Sequence, residues 1–267
     1  HAPAAPAPAP GDPAAQRALE LAYLRFQREH RGDEVQLRRA QVRYVDVIRE
    51  ALAEGGLNGH APRLLDVACG DGIFLQLARE AGWETQGVDL NATLVKLGRE
   101  RGLAIEHEDA IAYLERCGPA RFDAMTALQF IEHLEPEALM RLLRAARKAL
   151  RPGGVLIIET LNPNTLKALH WYFLDLTHAR LVFPEMLRLL GETAGFRFER
   201  WEGINPAPAE QRLAPAPAAD DATRANFDRL NELVYGPQDY YLVLRRPVTA
   251  SDAPTEAESA SGAAAVR

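Results

Sequence analysis

Apolar positions along the chain fall into short, nearly continuous runs, separated by stretches in which they recur every three or four residues. The runs at residues 64–67, 85–89, 103–107, 122–127 and 155–159 read as strands. A strand covered on both faces is apolar along its length rather than alternating. Between these runs, residues 73–81 read as a helix ended by Gly82, and residues 91–101 as a second one closed by Gly102. A third begins at Glu135-Pro136 and carries Leu139, Leu142, Leu143, Ala146 and Leu150 at the helical period. Strands alternating with helices predict a doubly wound, mostly parallel α/β sheet. Two further strands, at residues 196–201 and 240–244, bring the count to seven.

The ends of the chain break this pattern. Residues 1–15 are an Ala/Pro run with no side chains able to build a core, which reads as an extended, disordered linker. It has neither the basic start nor the apolar stretch of a signal peptide, and its first residue is His, as in a processed or excised segment. Residues 248–267, rich in Ala, Ser and Glu, read as a disordered tail. Residues 16–247 are then one domain, with a helical cap over 16–60 and a Rossmann-like core over 61–247. Gly32-Asp33 interrupts the cap, and Asp33 is placed to begin its second helix. The cap either packs on the sheet or acts as a lid carrying Tyr23, Arg28, Arg31 and Arg39.

Charge and composition narrow the function. At a formal net charge of −6 no general nucleic-acid surface is expected, and no apolar run is long enough to span a bilayer. Cys69 and Cys117 form neither a disulfide framework nor a metal-binding pair, which fits a reducing cytoplasm. Arg141, Arg144, Arg147 and Lys148 read as a solvated helix face.

The chemistry is concentrated where the first strand ends. Asp66-Val67-Ala68-Cys69-Gly70-Asp71-Gly72 passes from strand through a glycine turn directly into a helix, whose unpaired N–H groups face the turn. Ala68 and Ile73 stand where a dinucleotide fingerprint has its first and third glycines, so an NAD site is not expected. Asp89, at the end of the second strand, offers two acceptor oxygens suited to a ribose diol, or else caps the helix that follows. The D-x-x-x-G-x-G pattern resembles the first motif of class I S-adenosylmethionine-dependent methyltransferases. That resemblance implies S-adenosylmethionine as cofactor and a terminal antiparallel hairpin in the sheet. It also implies a cofactor-binding set of Asp66, Ala68, Gly70, Gly72, Asp89, Leu90, Asp109, Ala110, Leu128 and Tyr23, with Asp109 at the adenine amino group and the loop after Leu128 facing the methyl.

Several strings resemble a narrower group, the bacterial surface-polysaccharide methyltransferases of the O-antigen chain-terminating type. They are Tyr23-Leu24-Arg25-Phe26, Leu128-Gln129-Phe130-Ile131-Glu132-His133-Leu134, Glu159-Thr160-Leu161-Asn162-Pro163-Asn164, Phe173-Leu174-Asp175-Leu176-Thr177-His178 and residues 230–240. The resemblance implies O-methylation of a saccharide, glycolipid or glycan-phosphate acceptor. The alternatives are a small-molecule, quinone-like O-methyltransferase and a non-catalytic cofactor-binding partner. Gln129, Leu161 and Leu176 depart from the group's pattern, and Gln129 stands where a histidine is expected. A hydroxyl acceptor must lose a proton, and imidazole, with an ordinary pKa of about 6.5, suits that task. His133 and His178 are the candidates, with Asp175 able to orient one. Glu-x-x-Glu-His holds a divalent ion in some related O-methyltransferases. Here neutral Gln129 weakens such a site for a hard cation, so no metal is expected.

Overall fold

A computed structural model describes residues 25, 29, 32–56 and 59–248. The expected linker, most of the expected tail, and Tyr23, Arg28 and Arg31 lie outside the described residues. The chain divides into residues 1–43 and 44–267. In the first unit, helix α1 (Glu34–Gln41) starts at Asp33 through a capping box: Asp33 accepts from Gln36 N, and the Gln36 side chain accepts from Asp33 N.

The second unit is built on a seven-stranded sheet of order β3-β2-β1-β4-β5-β7-β6. Its strands are β1 (Arg63–Val67), β2 (Glu84–Asp89), β3 (Ile105–His107), β4 (Phe122–Leu128), β5 (Leu150–Leu161), β6 (Arg197–Pro206) and β7 (Pro237–Arg245). The first five pair in parallel, and β7 runs antiparallel to both β5 and β6. The chain leaves β1 for β2 and β3 on one side, then returns to place β4 on the other. That reversal opens a crevice at the carboxyl end of β1, where ligands of such sheets bind.

The pleat sorts the strand residues to two cores. Leu65, Val67, Met125, Leu156, Ile158 and Leu242 pack with α5 (Ala110–Arg116) and α6 (Pro136–Ala149). Leu64, Ala124, Val155, Ile157, Tyr241 and Val243 pack with α2 (Arg43–Glu54) and α3 (Ile73–Glu80). Helix α6 begins with Pro136, whose missing N–H costs nothing there, and buries Leu139, Leu142, Leu143 and Ala146 as their spacing predicts. Helix α4 (Ala92–Glu100) is capped by Asn91, not by Asp89. Three helices that the strand-centred reading omitted surround the hairpin: α7 (Leu166–Leu174), α8 (Pro184–Thr193) and α9 (Asp221–Tyr235). Among the described residues no helix is long and apolar enough to cross a membrane.

The hairpin is tied to the parallel strands by a buried charge. Arg245 on β7, with its side chain 5% exposed, pairs with Glu199 on β6, donates to Gly153 O at 2.9 Å and lies 3.7 Å from Glu54. Glu199→Gln would leave that guanidinium under-compensated and is expected to cost about 3 kcal/mol. Glu84→Gln, at the exposed Arg63–Glu84 pair, is expected to cost less than about 1 kcal/mol. Urea denaturation midpoints of the two variants check both values.

Candidate active site

The turn after β1 is held open by backbone geometry. Ala68, Gly70 and Gly72 all have positive φ, at 54°, 58° and 82°. Gly72 has its left-handed backbone as the main requirement, and a Cβ there would also displace the Leu103 side chain, whose Cδ1 would lie 2.4 Å away. Gly70 faces open room, its nearest neighbour being Leu94 at 3.9 Å, so there the requirement is conformational and a ligand can approach the backbone. Ala68 is a non-glycine residue in the left-handed region, which marks a strained turn.

Two carboxylates flank the turn. Asp66 is buried, and its Oδ1 accepts from Thr126 Oγ1 at 2.6 Å across the β1–β4 pairing. Burial pushes its pKa up to about 7, against the pull of the Thr126 hydroxyl and with a smaller push from Asp89. Asp89 accepts Gly70 N at 2.8 Å on one oxygen and Asn91 N at 2.7 Å on the other. Each oxygen retains a second lone pair for a diol. The half-buried Cys69 thiol is pushed upward by burial, Asp66 and Asp89, and so stays protonated. Asp109 caps α5, accepting Ala112 N at 2.9 Å through Oδ1, and Ala110 is buried beside it. Leu128 is buried at the end of β4, while Leu90 is 68% exposed. Tyr23 lies outside the described residues.

Beyond β4 the expected acceptor residues assemble around a 3-10 turn, Ile131–His133. The His133 and His178 rings lie 4.8 Å apart, and Tyr172 stacks on His178 at 5.6 Å. His178 Nδ1 is 3.0 Å from Tyr172 O. His133 Nδ1 is 3.2 Å from Thr177 O and 3.0 Å from Thr177 Oγ1. Asp175 accepts the Thr177 hydroxyl at 2.6 Å and lies 3.8 Å from His178 Nε2. Buried Glu132 accepts from Thr160 Oγ1 at 2.8 Å, and its carbonyl accepts Ala179 N and Arg180 N, which tethers the His178 loop. The structure therefore brings His133, His178 and Asp175 together.

Gln129 faces elsewhere. Its backbone is left-handed (φ 54°), and its Nε2 donates to Glu159 at 2.8 Å and to Asp239 at 3.0 Å. Tyr44 of α2 donates to the other Glu159 oxygen, and Asn205 donates to Asp239 at 2.8 Å. Sequence reasoning missed Thr126, Glu159, Asp239, Asn205 and Tyr44. Thr126 had a local signal, since it stands opposite Asp66 once β1 and β4 are paired.

A mostly parallel seven-stranded sheet with an acid–glycine turn at its switch point and a second acid after β2 defines a class I S-adenosylmethionine-dependent methyltransferase domain, with S-adenosylmethionine as its cofactor. The model of the family described as a methyltransferase domain matches residues 36–200, and the chain belongs to that family. A solved S-adenosylmethionine-dependent methyltransferase from Archaeoglobus fulgidus is 30% identical, with a TM-score of 0.74 over 84% of this chain and 99% of that one. The ubiquinone biosynthesis O-methyltransferase of Idiomarina loihiensis is 35% identical over 45% of this chain and 51% of its own length. That of Aeromonas salmonicida is 28% identical over 60% and 72%. The chain thus spans about half the length of the first of these relatives.

Asp66 gives a pH test. A carboxyl whose folded-state pKa lies above its unfolded value adds stability that is full below the unfolded value, near 4, and lost as pH rises through 7. Ligand-free protein is therefore expected to lose stability progressively from about pH 4 to pH 7, by at most about 4 kcal/mol in all, of which only about 1 kcal/mol falls between pH 6 and pH 8. Asp66→Asn is expected to flatten this dependence and raise the midpoint at pH 8, read by urea denaturation at both pH values.

Proposed function

We propose that this chain transfers the methyl group of S-adenosylmethionine to a hydroxyl oxygen of a small acceptor that carries an apolar group. The observation that carries this reading is the segment holding Asp175 and His178. It interleaves those polar groups with Phe173, Leu174 and Leu176, which are 73%, 36% and 94% exposed. An apolar wall beside a proton-accepting centre suits a phenol or similar acceptor with a hydrophobic substituent. The names of the curated relatives, ubiquinone biosynthesis O-methyltransferases, support the same class.

The cofactor half rests on Asp66, Ala68, Gly70, Gly72, Asp89, Leu90, Asp109, Ala110 and Leu128. In the proposed assignment Asp89 receives the ribose hydroxyls and Asp109 the adenine amino group, with the Ala110 backbone beside it. Asp66, ionised above neutral pH, favours the cationic end of the cofactor. Catalysis is then chiefly orientation, because the sulfonium is already a strong methyl donor. The acceptor oxygen forms a bond to the methyl carbon as the carbon–sulfur bond breaks. The bonding pair stays on sulfur, leaving a neutral thioether, and the hydroxyl proton passes to a ring nitrogen of His178 or His133. Asp175 acts through Thr177 to hold His133.

A saccharide acceptor is the second reading. It is favoured by a cavity of about 540 Å³ at the end of β5, lined among others by Asn162, Asn164, Glu185, Trp201 and Glu232. An exposed indole with carboxylate and carboxamide neighbours offers a sugar ring both a face and hydrogen bonds. Incubation with cofactor and a panel of prenylated phenols and oligosaccharides, with mass spectra locating the added methyl, separates the two. A methyl on a sugar oxygen sinks the first reading, and a methyl on nitrogen sinks both.

His178→Ala is expected to lower kcat by about 10²–10⁴-fold, the range for loss of a general base. The cofactor Kd, read by calorimetry, is expected to stay within about threefold, since the ring lies outside the cofactor-binding half.

A further inference from the structure

We infer that the cavity lined by β6, α8 and α9 is a peripheral site for an organic primary ammonium ion, separate from the reacting centre. Its volume of about 540 Å³ lies within the range of small-ligand pockets. Strand β6, which carries Trp201, is the far edge of the sheet, four places from β1. At about 4.8 Å per strand, roughly 19 Å separates it from the strand that ends in the glycine turn. A ligand small enough to fill the cavity is therefore not the group methylated at the donor crevice, and the inference rests on neither acceptor reading.

The floor of the cavity has its polar groups already satisfied. Asn162 donates to Pro237 O at 2.9 Å and accepts from Asn164 N at 3.1 Å, and the Thr165 hydroxyl donates to Pro237 O at 3.0 Å. One wall is the Trp201 indole, 42% exposed and packed in a T-shaped contact on the buried Tyr240 ring at 6.2 Å. Tyr240 is itself held by its hydroxyl, which donates to Val182 O at 2.8 Å. The cavity therefore has an anchored aromatic wall, and the face of an indole attracts cations.

Charge decides the ligand. Glu185 of α8 and Glu232 of α9 line the cavity, and among the described residues no lysine, arginine or histidine does. Arg212 donates to one Glu232 oxygen at 2.9 Å, which leaves the other able to accept. Glu185 makes no ion pair among the described residues. An anionic ligand would be repelled by this pair of carboxylates. A neutral sugar would find acceptors and an aromatic face but would leave the charge of Glu185 unanswered. A primary ammonium answers that charge, gives three N–H groups to the carboxylates and the Asn164 carboxamide oxygen, and rests its organic body against Trp201. A quaternary ammonium has no hydrogens for those acceptors and would forgo their bonds.

Full-length protein is titrated by calorimetry with cyclohexylammonium chloride, with cyclohexanol as a neutral ring of the same shape, and with glucose. Cyclohexylammonium is expected to bind one per chain at millimolar affinity or tighter, and the two neutral rings at least about tenfold more weakly. Glu185→Gln and Trp201→Leu are each expected to weaken cyclohexylammonium binding by about threefold or more. Cofactor binding retained within about twofold checks that each variant folds. Nitrogen NMR of the unaltered protein gives a second readout, in which the ligand shifts the indole N–H signal that Trp201→Leu deletes, with S-adenosylmethionine present or absent. No cyclohexylammonium binding, cyclohexanol or glucose binding within tenfold of it, a loss smaller than threefold in either folded variant, an unshifted Trp201 signal, or displacement by S-adenosylmethionine would each overturn the assignment. Glucose binding of comparable strength would also return the cavity to the saccharide reading.

Discussion

Burial of the Asp66 carboxylate at the carboxyl end of β1 is the constraint on which the rest of the site depends. An acid buried on β1 opposite Thr126 of β4 is costly unless something answers it. Among the described residues the Thr126 hydroxyl answers it in part, and burial still lifts the pKa to about 7. In the proposed assignment the remaining compensation comes from the cationic end of the cofactor, entering the crevice at the switch point. Stability of the empty fold is therefore given up at the residue that favours a charged ligand, a common arrangement at functional sites.

The glycine turn serves the same end by a different route. Its three left-handed residues turn the chain within a few positions, so that Gly70 N reaches Asp89 and the two acids are held beside one loop. Neither β1 nor β2 alone defines the pocket. The Gly70–Asp89 hydrogen bond joins them, and the parallel register of β1 on β2 sets its length. The packing of Leu103 against Gly72 then fixes where α3 begins.

The donor half of the site was legible in the sequence because it is built from local chemistry. Asp66, Gly70 and Gly72 lie within seven residues, and Asp89 follows at the end of the next apolar run. The alternation of runs and helical periods likewise gave the parallel strands and their order of appearance. The acceptor half was legible only as strings, since its contacts join distant positions. His133 meets Thr177, 44 residues on, and Tyr44 meets Glu159, 115 residues on. No period or spacing encodes such pairings. Helices α7 to α9 were missed for a related reason. Their apolar faces are partly exposed, so segments such as Leu166–Leu174 do not show the contrast between buried and solvated faces that marks α6.

Gln129 shows how one position changes meaning between the two levels. As a departure from a pattern, it looked like a lost base and raised the possibility of a protein without acceptor chemistry. In the fold its left-handed backbone turns the side chain to the α2 side of the sheet, where its carboxamide joins Glu159 of β5 to Asp239 of β7. A neutral double donor between two carboxylates reduces their mutual repulsion without adding a charge, which neither histidine nor glutamate in its charged form would do. The terminal hairpin is thereby fastened to the loop after β4, and that loop goes on to Glu132 and His133 on the opposite face. Gln129 thus belongs to the scaffold that positions the acceptor centre. The chemistry proposed for that centre rests on the two imidazoles and Asp175, which the replacement leaves in place.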